Sequence, residues 1–114
     1  MNSTAGAGSA ADQLARQVEL LTRQVGHWTA PRWAAPAAAG DASRADLVHR
    51  LVQRLADLAA DAAGQPRRRV PRLENDLVLP DQLRVMATDL IAANPAPEVL
   101  AEAVGEVTAV RRAI

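Results

Sequence analysis

Apolar residues along the chain fall into four stripes with helical spacing. In the first, Leu14, Val18, Leu21, Val25 and Trp28 step by four and three, which is one face of a helix. It predicts a helix over 10–28. Ser9 is positioned as its N-cap, and Asp12 lies at the positive end of the helix dipole. Asp12 with Arg16 and Glu19 with Arg23 are i,i+4 pairs in the favourable order, and Thr29 and Pro31 supply the stop. The second stripe, Val48, Leu51, Leu55, Leu58 and Ala62, is widened by Leu47, Val52 and Ala59 and predicts a helix over 44–63. Ser43 and Asp46 resemble a capping box with Asp in place of Glu, and Gly64 and Pro66 end the helix.

The third stripe is Leu83, Met86, Leu90 and Ile91, predicting a helix over 80–93. Pro80 suits its first turn, Asp81 adds negative charge there, and Asn94 and Pro95 stop it. The fourth helix begins near Pro97. Leu100, Ala103, Val107, Val110 and Ile114 repeat at heptad spacing, with Glu98, Glu102 and Glu106 on the opposite side and Arg111 and Arg112 at the end. Residues 29–42, with two Pro, a Gly and Trp33, read as a linker. Residues 65–79 read as an extended basic loop, because Pro66 and Pro71 forbid a regular helix, and Asp76–Leu79 is compatible with a short strand. Residues 1–8 read as a disordered tail. The expectation is an all-α fold: a small antiparallel bundle of about four helices in one domain over 9–114.

Composition reinforces this. The 114 residues suit one domain with one core. There is no Phe or Tyr, and 26 residues are Ala, so the core must be built from Leu, Val, Ile, Met and Ala, which favours helix over strand. All 13 basic residues are Arg, balanced by 13 Asp and Glu. Zero net charge argues against a general polyanion binder. With no Cys, disulfides, thiolate chemistry and Cys-based zinc sites are excluded. The first dozen residues lack the basic and apolar regions of a secretory signal. No stretch approaches the roughly 18 apolar residues of a membrane span. A cytoplasmic protein without a membrane partner is expected.

Candidate chemistry is sparse. His27 and His49 are the only histidines, and a metal site would need Asp46 or Asp57 beside them; no Glu-x-x-His or His-x-x-x-His spacing occurs. Ser3, Ser9 and Ser43 lie in the tail or at caps. Thr4, Thr22, Thr29, Thr88 and Thr108 have no His nearby in sequence. No Gly-x-Ser-x-Gly or Gly-rich phosphate loop occurs. No catalytic residue, metal or cofactor is therefore expected.

The sharpest surface feature is Arg67, Arg68, Arg69 and Arg72. It reads either as a contact for an acidic partner or for phosphates, or as a solvated loop neutralised by Glu74, Asp76 and Asp81. The last two helices have a helix-turn-helix outline. However, Glu98, Glu102 and Glu106 would face phosphate, and the turn 94–97 lacks the usual glycine. Trp28 and Trp33 suit an interface by their area and low entropy cost, or else close the core. The heptad stripes are too short for a coiled coil, but a thin core leaves room for a homodimer.

The stretches VGHWTAPRWAAP and LPDQLRVMATDL resemble short uncharacterised proteins of high-GC Gram-positive bacteria, as does the Arg-for-Lys, Ala-rich composition. That resemblance implies a small all-helical bacterial protein and carries no known activity with it. The reading is a non-catalytic protein that binds another protein or a second copy of itself, with Trp28, Trp33, Arg67, Arg68, Arg69 and Arg72 as candidate contacts. The alternatives are a nucleic-acid-associated regulator using the arginine loop, and a small-ligand bundle with a Leu- and Met-lined pocket under a Trp33 lid.

Overall fold

The computed structural model describes residues 9–38 and 40–114; the tail expected over 1–8 lies outside the described residues. Five α-helices make up the fold: α1 (Ala10–Val25), α2 (Ala30–Ala34), α3 (Arg44–Ala62), α4 (Leu79–Ala92) and α5 (Pro97–Ala113). It is an all-α bundle of four long helices with one short helix, α2, set between α1 and α3. Among the described residues, no helix is long and apolar enough to cross a membrane.

The caps follow the sequence closely. The Ser9 side chain accepts from the Asp12 amide at 3.0 Å. Ser43 accepts from the Asp46 amide at 3.0 Å while the Asp46 carboxylate accepts from the Ser43 amide at 3.1 Å, closing a full capping box. At the other end of α3, the Gly64 amide donates to the Asp61 carbonyl and the Gln65 amide to the Ala60 carbonyl. That double closure requires a left-handed residue, and Gly64 has φ 67°. Asn94, at φ 51°, ends α4 in the same conformation, which Asn tolerates better than most residues.

Three expectations change. The linker over 29–42 contains α2, because Pro31 falls in a first turn where its missing N–H costs nothing. Beyond α2 the chain folds back on itself. Ala37 donates to the Ala42 carbonyl, Arg44 donates to the Ala35 carbonyl, and the Ala38 amide reaches the Ala113 carbonyl at the end of α5 at 2.8 Å. The segment 76–79 is not a strand: Asp76–Val78 forms a 3₁₀ turn, with the Asn75 side chain accepting from the Leu77 amide, and runs directly into α4. Nor do all three glutamates of α5 face away from the bundle. Arg54 of α3 bonds both Glu102 and Glu106.

Each long helix packs on two others: α1 on α4 and α5, and α3 on α4 and α5. α3 and α5 run antiparallel, since Leu58 and Ala62 near the end of α3 share a hollow with Val99 near the start of α5, while Leu47 and Leu51 share one with Val110. α3 and α4 run in the same direction, since Ala56 to Ala63 and Met86 to Ala93 line one groove. The long crossover between them makes this possible, an arrangement known among four-helix bundles. The core is Leu14, Val18, Leu21, Val25, Val48, Leu51, Val52, Leu55, Leu58, Leu79, Leu83, Leu90, Leu100 and Val107 with small Ala45, Ala87 and Ala103, closed by both tryptophans and by Val70 of the loop. The four predicted stripes thus supply most of the core, with Leu47, Ala59, Met86, Ile91, Val110 and Ile114 only half-buried and Ala62 exposed.

Candidate interaction site

Trp33 is fully buried and Trp28 is 4 % exposed. Their rings meet edge to face with centroids 5.0 Å apart and planes at 68°, the arrangement the ring quadrupoles favour. The guanidiniums of Arg32 and Arg44 stand over the Trp28 ring at 4.9 and 5.3 Å, and Arg44 also donates to the Arg32 carbonyl. Trp28 and Trp33, expected as candidate partner contacts, are both turned inward in the folded chain. Their area is spent joining α1, α2 and the start of α3, and almost none faces solvent. Trp33 does not cover the groove described below either, so it is no lid.

The arginine loop is held in place by one face of α3. His49, Gln53, Asp57 and Asp61 recur every four residues, so they stand in a row along the helix. The His49 Nε2 donates to the Val70 carbonyl at 3.1 Å. Gln53 uses both ends of its amide: its oxygen accepts from the Val70 amide at 2.7 Å, and its nitrogen donates to the Arg68 carbonyl at 3.0 Å and to Asp57. Asp61 receives a two-point bond from Arg67 at 3.0 and 2.7 Å. Asp46, one turn before the row, takes Arg72 at 2.9 Å. The loop thus descends α3 from its end to its beginning, with the Val70 side chain buried.

These contacts divide the four arginines. Arg67 pairs with Asp61 and lies 3.9 Å from Asp57; Arg72 pairs with Asp46 and, at 3.4 Å, with Asp76. Arg72 and the backbone of Ser43 together hold the Asp46 carboxyl below its ordinary pKa, and Arg67 does the same to Asp61. The side chains of Arg68 and Arg69 are exposed and have no carboxylate partner among the described residues. Sequence reasoning treated the four as one cluster. The signal that separates them is a polar row at four-residue spacing on α3; from sequence, Asp46 reads as a cap or a metal ligand and Asp57 only as a metal ligand, neither as an arginine partner.

Arg68 and Arg69 stand beside a groove of about 690 Å³ formed where α3 and α4 end side by side. Its floor is alanine from both helices with Met86, and Asp89 stands on the α4 wall. Alanines leave the groove open because they carry nothing beyond Cβ. Elsewhere the polar side chains serve the fold. The Thr22 and Thr108 hydroxyls donate to carbonyls of their own helices. Arg111 donates to Gln17 of α1 at 2.7 Å, and Gln24 donates to the Arg111 carbonyl. No three His, Asp or Glu side chains among the described residues come close enough to hold a metal ion. No family model, curated protein or solved structure matches the chain, so its function is argued from its own residues.

Proposed function

We propose that this chain is a non-catalytic protein-binding module, and that its contact face is the groove between the ends of α3 and α4. The observation that carries this reading is the division among the loop arginines. The protein neutralises Arg67 and Arg72 with its own carboxylates and leaves Arg68 and Arg69 unpaired on the rim of an apolar groove. Unpaired guanidiniums beside exposed apolar surface suit an interface, where Arg is enriched. The serines and threonines with visible bonds cap or brace helices, and His49 braces the loop, which favours binding over catalysis. The two loop arginines left without a carboxylate, on a chain of zero net charge, offer few phosphate contacts, so the nucleic-acid reading is the weaker one. The partner is another protein or a second copy of the chain.

Two variants test the reading. Ala92 is exposed and lines the groove, so Ala92→Trp fills it without touching the core; Arg68→Glu with Arg69→Glu reverses the rim. Proteins captured from native lysate by the wild type should be lost with both variants, while circular dichroism stays unchanged. Self-association, if it is the function, should show as a mass above 12.1 kDa that both variants return to monomer. A captured set and a mass indifferent to both would sink the proposal.

A further inference from the structure

The groove also constrains the kind of partner segment it accepts. We infer that its occupant is an amphipathic α-helix carrying two carboxylates on one flank and a cation on the other; the inference rests on the groove being the contact face.

The case for a helix comes from the backbone. A segment that binds as an added strand needs free amides and carbonyls along one edge. Only a short edge is offered here: among the described residues, Arg67 and Arg69 keep both backbone groups free, on a stretch bracketed by Pro66 and Pro71. The walls are helices, whose backbone groups bond internally. The terminal carbonyls of Ala59, Ala60, Asp61, Asp89 and Ile91 are taken by the turns that end α3 and α4. In the loop, Pro66 and Pro71 have no N–H, the Arg68 carbonyl is held by Gln53, and both backbone groups of Val70 are held by Gln53 and His49. Two residues are too short an edge to pair a strand along the groove, so a partner lying on the helical walls satisfies its own backbone, as a helix does. The shape agrees: an alanine floor between two helices lets a third backbone approach closely, with apolar side chains at i, i+3, i+4 and i+7 entering the groove.

The charge pattern sets its flanks. Arg68 and Arg69 stand on the loop side and Asp89 on the α4 side, and neither arginine has an internal carboxylate. A helix that lies between them is matched by two acidic residues facing the loop and one Lys or Arg facing α4. Such pairs set orientation and on-rate more than affinity.

The test is selection of a displayed library of random 16-residue peptides on the immobilised full-length protein, with Ala92→Trp and the Arg68→Glu, Arg69→Glu double variant selected in parallel. The expected winners carry apolar residues at helical spacing with acids on one flank, become helical on binding, and bind the double variant about tenfold or more weakly. On the double variant the selected flank should switch to Lys and Arg. Winners that are extended, or whose charge ignores the rim, would overturn the helix assignment while leaving the groove as the contact face, provided Ala92→Trp still blocks them. Peptides indifferent to Ala92→Trp, or no enrichment at all, would remove the groove itself and the proposed function with it.

Discussion

Trp33 illustrates how one residue decides a junction. It comes from a five-residue helix too short to stand alone, yet it is fully buried and pairs with Trp28. Trp33→Ala should cost about 3–5 kcal/mol, the usual loss for an aromatic core truncation, and should melt α2 from α3; urea denaturation followed by circular dichroism measures it. Gly64 acts through conformation rather than contact. A Cβ there meets nothing within 4 Å, but its φ of 67° is unfavourable for an L residue, so Gly64→Ala should cost about 1 kcal/mol. Two carboxylates carry a pH signature. Their pKa values are depressed in the folded state by Arg72 and Arg67, so the stability they add is present above the ordinary carboxylate value of 3.8 and is lost as pH falls through the lower folded value. Thermal midpoints recorded from pH 6 to 2.5 should decline across that window, and the decline should be shallower in Asp46→Asn.

At the scale of elements, the long helices were legible because each buries an apolar stripe that recurs at helical spacing. The predicted ends fall within a few residues of the observed ones, α1 differing most because Trp28 continues its stripe beyond Gly26. α2 was not legible, since a five-residue helix has too few positions to show a period. The 3₁₀ turn over Asp76–Val78 is compatible with a strand for the same reason: the three apolar residues Leu77, Val78 and Leu79 carry no periodicity. The loop fixes where α4 begins, and its attachments lie in side chains of α3 whose spacing is visible but whose partners are not. Gln53 makes two of these bonds. Gln53→Leu should therefore release residues 67–70 and speed trypsin cleavage after Arg68 and Arg69 several-fold under native conditions, with the helical signal of the remaining chain retained. Cleavage at the wild-type rate would show that the row on α3 does not hold the loop.

At the scale of the whole molecule, the chain forms a bundle with antiparallel α3 and α5 and one crossover that turns α4 alongside α3. The all-α class follows from composition and periodicity. The crossover does not, because helical stripes specify which face is buried but not which neighbour buries it. The candidate face has the same history: the arginines were visible in the sequence, while the groove exists only once two helix ends are placed side by side. A single core shared by all four long helices predicts one cooperative transition. Calorimetry should give a van't Hoff enthalpy equal to the calorimetric one, near about 0.7 kcal/mol per ordered residue. Two separable transitions would mean that the pairs of helices fold independently.

The tryptophan pair has an optical consequence. With no Tyr or Phe in the chain, all absorption and emission near 280 nm comes from two indoles in contact at a single junction. Their edge-to-face approach at 5.0 Å is close enough for their transitions to couple, and both should emit from an apolar environment. Ultraviolet emission therefore monitors the joint between α1, α2 and α3 and stays silent about the groove at the opposite end of α3. Binding there will need an extrinsic dye or an added tryptophan to be seen, and Ala92→Trp happens to place one in the groove.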